Sequence, residues 1–183
     1  MHTEPLEILR AIQAATLQHA SPMPLVDEKP TQWQGLAFTV GGVKLVAGLG
    51  DVSELMPMPK YTSLPGVKPW LLGIANLRGR LVPVVDLHAY LGLRTTCPPN
   101  ASKVFIVEIE EFSAGLVVEQ SLGMAQFVEE DHAPISPEGA DQLGSLSTYV
   151  SGAFVRDGET YHQVELGRIF KDEAFFDVAE VTQ

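Results

Sequence analysis

The feature that most constrains this chain is that part of it is written twice. Set 79 residues apart, Trp70 falls on Tyr149, Gly73 on Gly152, Gly79 on Gly158, Val85 on Val164, Asp86 on Glu165, Leu87 on Leu166 and Leu91 on Phe170. Upstream the offset is 67, which lays Phe38 on Phe105 and the "AGL" at 47–49 on the "AGL" at 114–116. The second copy has therefore gained 12 residues between the two blocks, in or near "EEDHAPISPEGADQLGS". That stretch is acidic and carries Pro and Gly, and it reads as a surface loop. Two copies are too few for a solenoid, so two similar lobes resting on one another are expected.

Within the copies the local signals are those of strands. "WQGLAFTV", "VKLVAGL", "LVPVVDL", "KVFIVEI", "SAGLVVE" and "ETYHQVEL" are short, rich in Val, Phe and Leu, and separated by Gly-containing turns. Short helices are expected at "DVSELM", "LHAYLG" and "LGRIFKD". Asp157-Gly158 between strand residues signals a tight hairpin, because Gly accepts the positive φ such a turn needs, and the repeat carries that reading to Arg78-Gly79. On this reading Gly79 supplies the unusual φ and Arg78 is free of the turn's demands. Pro83 implies an edge or bulge, where its missing N–H is not needed. Asp86 and Glu165, each just before a Leu, read as helix-start carboxylates. The fold class is all-β.

Ahead of the strands, "TEPLEILRAIQAATLQHA" puts Ile8, Ile12 and Ala15 on one helical stripe, with a Pro in the first turn. "SPMPLVDEKP" follows, and its prolines disfavour helix and central strand alike. Residues 1–31 are thus expected to form an N-terminal amphipathic helix and a Pro-rich linker. The helix either docks on a partner or packs back on its own domain.

Charge and composition narrow the function. Of 183 residues 45% are apolar, which is enough for a real core, yet no run approaches the ~18 apolar residues a membrane span needs. A soluble, cytoplasmic protein is expected, and the single Cys97, which has no internal partner, fits a reducing compartment. Net charge is −11, split between +2 over residues 1–104 and −13 over residues 105–183. The acidic half repels phosphate backbones, so no nucleic acid and no direct membrane insertion are expected, and protein surfaces are the natural partners.

Catalytic signals are thin. His2, His19, His88, His132 and His162 lack metal-ligand spacing, and no Cys pair accompanies them. No phosphate-cradling loop is present, since "GGVKLVAGLG" spans a strand pattern. Glu110-Glu111 and Glu129-Glu130-Asp131 read as solvated surface. No cofactor is expected. The alternative from a different class, a β-barrel hydrolase or small-ligand binder with its site between the lobes, has no feature beyond generic acidic residues.

What remains is "GVKPWLLGIANLRGRLVPVVDLHAYLGL", with "DVSEL" before it and "AGLVVEQSLGM" after it. This combination resembles the CheW family, the adaptors that couple chemoreceptors to a CheA-type histidine kinase, and the resemblance runs from about Trp33 to Val178. "GLAFTVGG", "PKYTSLPGVKPW", "ANLRGRL" and the N-terminal extension resemble the branch of that family serving type IV pilus chemosensory systems. The resemblance implies two small five-stranded β-barrel lobes, about 33–94 and 101–176, with exchanged strands around a shared apolar core. It implies no catalysis. It implies binding to the kinase's CheW-like regulatory domain and to the cytoplasmic tip of a methyl-accepting chemoreceptor, at arrays near the membrane, in control of twitching motility; a flagellar chemotaxis coupling role is the alternative within the family. Carried over by position, the coupling residues are Val52, Glu54, Gly73, Asn76, Arg78 and Gly79. Core packing or turn geometry is the competing explanation for Val52, Gly73 and Asn76. For Arg78 the expected partner is Glu54, held through a two-pronged, surface-exposed ion pair.

Overall fold

A computed structural model describes residues 32–93, 102–109 and 112–180. The expected leader helix and linker, Cys97 and the Glu110-Glu111 pair lie outside the described residues. The first six strands are β1 (Gln32–Val40), β2 (Val43–Gly48), β3 (Glu54–Pro57), β4 (Tyr61–Thr62), β5 (Leu71–Leu77) and β6 (Arg80–Asp86). After helix α1 (Leu87–Tyr90) come β7 (Lys103–Ile109), β8 (Phe112–Val118), β9 (Gln120–Val128) and β10 (His132–Ala133). Helix α2 (Pro137–Leu143), strands β11 (Val150–Arg156) and β12 (Glu159–Val164), and helices α3 (Leu166–Ile169) and α4 (Glu173–Phe176) complete the order.

The strands form two curled six-stranded sheets, ordered β9-β1-β2-β12-β11-β10 and β3-β7-β8-β6-β5-β4. Each has five longer strands and one two-residue edge strand, β10 or β4. Read strand for strand, the two orders superimpose the repeated segments: β1–β2 on β7–β8, and β5–β6 on β11–β12. Each sheet also has one parallel pair at the same place, β12 with β2 and β6 with β8. The sheets are thus built from interleaved chain segments, because β1–β2 complete the sheet of β9–β12 while β7–β8 complete that of β3–β6.

Apolar packing follows that arrangement. A small cluster fills each curl: Ala37, Val46, Ala125, Phe127 and Phe154 in one, Ala75, Val84, Val104, Ile106 and Val117 in the other. The largest cluster draws on both sheets, with Phe38, Leu45, Val85, Leu87, Phe105, Leu116, Val164 and Leu166 all buried. Phe38 and Phe105, aligned by the repeat, meet edge to face with centroids 4.9 Å apart. Burial of such side chains at roughly 1.5–3 kcal/mol each dominates the stability of the fold.

The repeat is reproduced in backbone detail. Register shifts fall at Leu71/Gly73 and at Val150/Gly152. Asp86 N–H donates to Trp70 O at 2.7 Å, and Glu165 N–H to Tyr149 O at 2.8 Å. Asp86 caps α1 as expected, accepting from His88 N at 3.0 Å and Ala89 N at 3.3 Å. Glu165 makes no such cap and instead holds Arg168 through two hydrogen bonds of 2.6 and 2.9 Å.

Four local expectations are corrected. "DVSELM" is a turn followed by β3, not a helix. Pro83 lies in an interior strand rather than at an edge or bulge; it stands one residue before the parallel ladder with β8 begins at Val84, so its missing N–H costs no rung there. The acidic insertion is not simply a loop, since it folds β10, α2 and a 3-10 helix (Gly144–Tyr149) and buries Leu143 and Leu146. Its Ser136 accepts from Gly139 N at 3.1 Å, and Pro137 occupies the first helical turn. Finally, Arg78 itself has φ 53°, as does its counterpart Asp157, so the tight turn places two residues and not one in the left-handed region.

Candidate functional site

Glu54, Asn76, Arg78 and Gly79 come together at one end of the second sheet. The β5–β6 turn carries Arg78 (φ 53°) and Gly79 (φ 86°). Asn76 Oδ1 accepts from Gly79 N at 2.9 Å, so this side chain's place is explained by the turn it ties. Arg78 reaches away from its own strand to β3, at the opposite edge of the sheet, where Nη2 donates to Glu54 Oε1 at 2.9 Å. The expected pair is present, but through a single hydrogen bond rather than a two-pronged one. The Arg78 side chain is 83% exposed, which leaves its remaining donors free to solvent or to a partner.

Sequence reasoning missed the neighbours of this pair. Arg80 Nη1 donates to Glu108 Oε1 at 2.7 Å. The two ion pairs flank a hollow of about 100 Å³ floored by Leu77, Val82 and Ile106. Beside them Leu81 is 71% exposed and Leu55 42%. The signal for Arg80 was present in "LRGR", since residues flanking a tight turn point to the same face of the hairpin.

Val52 and Gly73 stand apart from this cluster. Val52 is half-buried against the central core. Gly73 has φ 151° at the β5 bulge, and a Cβ there would stand 2.1 Å from Thr62 O, so close backbone approach fully accounts for the glycine.

The equivalent place in the other sheet is built alike but charged differently. Its turn is Asp157-Gly158, and Arg156 Nη1 reaches the β9 edge strand at Gln126 O, 3.4 Å away. In both sheets an arginine at the hairpin tip therefore spans a seam that the backbone ladder leaves open.

Titratable groups elsewhere are arranged for structure. His88 is buried, with Nδ1 3.1 Å from Asp86 Oδ1 and Nε2 3.4 Å from Glu119 Oε1, while Glu119 Oε2 accepts from Gly42 N at 3.1 Å. Burial pushes the Asp86 carboxyl up, but the hydrogen bonds from His88 and Ala89 outweigh it and hold Asp86 below the ordinary range. Asp172 accepts from the hydroxyls of Tyr90, at 3.0 Å, and Tyr149. Burial first, then its hydroxyl and carboxylate neighbours, pushes the Tyr90 hydroxyl far up; Asp172 is held down, chiefly by Tyr149. Among the described residues no His, Cys, Asp and Glu set is spaced to hold a metal ion.

Comparison with known proteins is consistent with this picture. The CheW-like domain model matches residues 34–174. Protein PilI of Pseudomonas aeruginosa is 35% identical over 154 residues, covering 84% of each chain. Chemotaxis protein CheW of Rhizobium meliloti is 25% identical over 138 residues, covering 75% of this chain and 87% of that protein. Among solved structures, the scaffolding protein TtCheW of Thermoanaerobacter tengcongensis superposes with a TM-score of 0.66 at 24% identity, covering 78% of this chain and 95% of its own, a likeness of fold. CheW-family proteins are scaffolding adaptors rather than enzymes. With its interleaved two-sheet architecture and a family match across most of its length, the chain belongs to the CheW family.

Proposed function

We propose that this chain is a non-enzymatic adaptor coupling the cytoplasmic tip of a methyl-accepting chemoreceptor to the CheW-like regulatory domain of a CheA-type histidine kinase. We further assign it to a cytoplasmic array, recruited to the membrane through the receptor, that controls type IV pili and twitching motility. The observation that carries the pilus assignment is the 35% identity to PilI across 84% of both chains, against 25% for the Rhizobium meliloti CheW. A flagellar coupling role is the second reading, favoured by the breadth of likeness to CheW proteins.

The exposed tip is the coupling element in this proposal. Arg78 and Arg80 present planar, multi-donor groups on a rigid hairpin, next to the exposed Leu55 and Leu81, so charge-assisted hydrogen bonds and apolar burial are available in one patch. The Arg78–Glu54 bond orders the guanidinium at little gain in stability, because an exposed pair is worth only about 0–1 kcal/mol. A deletion strain tests the branch. Loss of twitching with swimming retained is expected, and loss of swimming with twitching retained would move the chain to the flagellar system.

A further inference from the structure

An apolar groove opens where the second sheet meets the C-terminal segment. Trp70, Pro83 and Phe112 line it from the sheet side, and Phe175, Phe176 and Val178 from the C-terminal segment, around a hollow of about 240 Å³. Trp70 stacks on Phe175 with centroids 5.8 Å apart, and Phe112 meets Phe176 edge to face at 5.5 Å. Trp70 and Phe175 are buried, whereas Phe176, at the rim, is 54% exposed. The hollow is smaller than the roughly 300–1,000 Å³ of small-molecule sites, and every residue lining it is apolar, so no polar side chain is present to orient a small ligand. The fitting occupants are apolar side chains of another protein.

No sheet edge borders this groove: β5 lies between β4 and β6, and β6 between β5 and β8. An incoming segment must therefore satisfy its own backbone, which a helix does. The other copy uses that solution within the chain. At the offset of 79, Pro83 corresponds to His162, and the hollow beside His162 is walled by Ile135, Gly139 and Gln142 of the acidic insertion, the last two on helix α2. The first copy lacks those 12 residues and folds no helix between β4 and β5. Charge sets the flanks. Residues 171–180 hold four carboxylates against one cation, Lys171, and Lys68 beside them is already paired with Asp177 at 2.8 Å. Glu173 and Glu180 are exposed. We propose that the groove receives one face of a short amphipathic helix of a partner protein. Its large apolar side chains, one turn apart, enter beside Phe176, and its Lys or Arg residues meet Glu173 and Glu180. Arg78 and Glu54 are not among the walls, so the inference does not rest on the coupling role proposed above.

The test uses the full chain and a capped, Ala-based helical peptide with Leu residues one turn apart and Lys around them. Three control peptides accompany it: Glu in place of each Lys, Ala in place of each Leu, and Pro at the centre of the helix. Binding is read from the indole N–H of Trp70 and the amides of residues 172–180. The expected result is saturable shifts there with the parent peptide, about tenfold weaker binding of the Glu peptide, and none with the other two. Phe176→Ser, at an exposed position, abolishes binding while the melt moves little, and Glu173→Lys/Glu180→Lys weakens it by about tenfold with the apolar walls intact. Absence of binding overturns the proposal. So does binding that Phe176→Ser leaves unchanged, which would place the peptide elsewhere, or binding that the central Pro leaves unchanged, which would make the bound form extended. Dimerisation of the chain that Phe176→Ser removes would give the groove to a second copy, and attachment to anionic lipid vesicles that the same variant removes would give it to a membrane; either result also overturns the proposal.

Discussion

Replacing Gly73 with Ala separates a structural glycine from a contact residue. Two costs follow from its position. The backbone at φ 151° is one that residues with a Cβ rarely adopt, costing about 1–3 kcal/mol. The new Cβ would also stand 2.1 Å from Thr62 O, 2.7 Å from Thr62 C and 3.0 Å from Ser63 Cα. All three are main-chain atoms, so no rotamer change relieves the clash. β4 must move instead, breaking its pairing of Tyr61 with Ala75 and Thr62 with Ile74, at about 0.5–1.5 kcal/mol per hydrogen bond lost. A total of about 3 kcal/mol lowers Tm by roughly 6–12 °C in a domain of this size. The control is Gly158→Ala, where φ is 77° but nothing lies within 4 Å of the added Cβ; strain alone predicts a loss of about 1–2 kcal/mol. Thermal melts followed by circular dichroism compare the two variants. If Gly73→Ala melts with Gly158→Ala, the close approach to Thr62 is not what fixes this glycine, and a direct role in binding regains its place.

Three further outcomes follow. Arg78→Gly removes an exposed ion pair worth about 0–1 kcal/mol and relieves the left-handed backbone of a non-Gly residue, worth about 1–2 kcal/mol, so its Tm equals or exceeds wild type, whereas Arg78→Ala keeps the strain and melts slightly lower; a fall beyond about 5 °C in either would make Arg78 part of the core. Asp172→Ala removes both the acceptor of two tyrosine hydroxyls and the cap on Ala174 N, costing about 1–2 kcal/mol in denaturant melts, and Asp172→Asn recovers part of that loss because its carbonyl still accepts. Burial lowers the affinity of His162 for a proton in the folded state below its ordinary 6.5, so folding favours the neutral ring and stability drops as pH falls below that value; His162→Gln flattens this part of the pH profile, and an unchanged slope would contradict the assignment.

The framework of the fold is legible in the sequence because a repeat is a long-range signal. The pairing of Phe38 with Phe105, the two bulge glycines and the two hairpin tips all follow from two offsets. What stayed illegible was local and short. Strand β3 hides in "DVSELM", whose Glu-Leu-Met favours a helix in isolation; it becomes a strand because β7 offers it an edge. Strand β9 is interrupted by Gly123 at φ 87° and carries polar residues on its outward face, so its alternation is faint. Helix α2 was signalled by Ser136-Pro137-Glu138, but acidic composition masked the cap. At the site, the Arg78–Glu54 pair came through family likeness; the place of Arg80 beside the turn is readable in "LRGR", but its partner Glu108 is on β7, reached across β8, and no pattern within β6 or β7 announces that pairing.

The most direct test of the account is a reconstitution. Receptor-containing membranes from the same chemosensory system, the CheA-type kinase and this chain are combined, and kinase autophosphorylation is measured with and without the chain. The account predicts that receptor control of the kinase requires the chain, and that Arg78→Ala, folded as judged by its melt, fails to restore it. Receptor-controlled kinase activity that is the same with and without the chain would contradict the central claim.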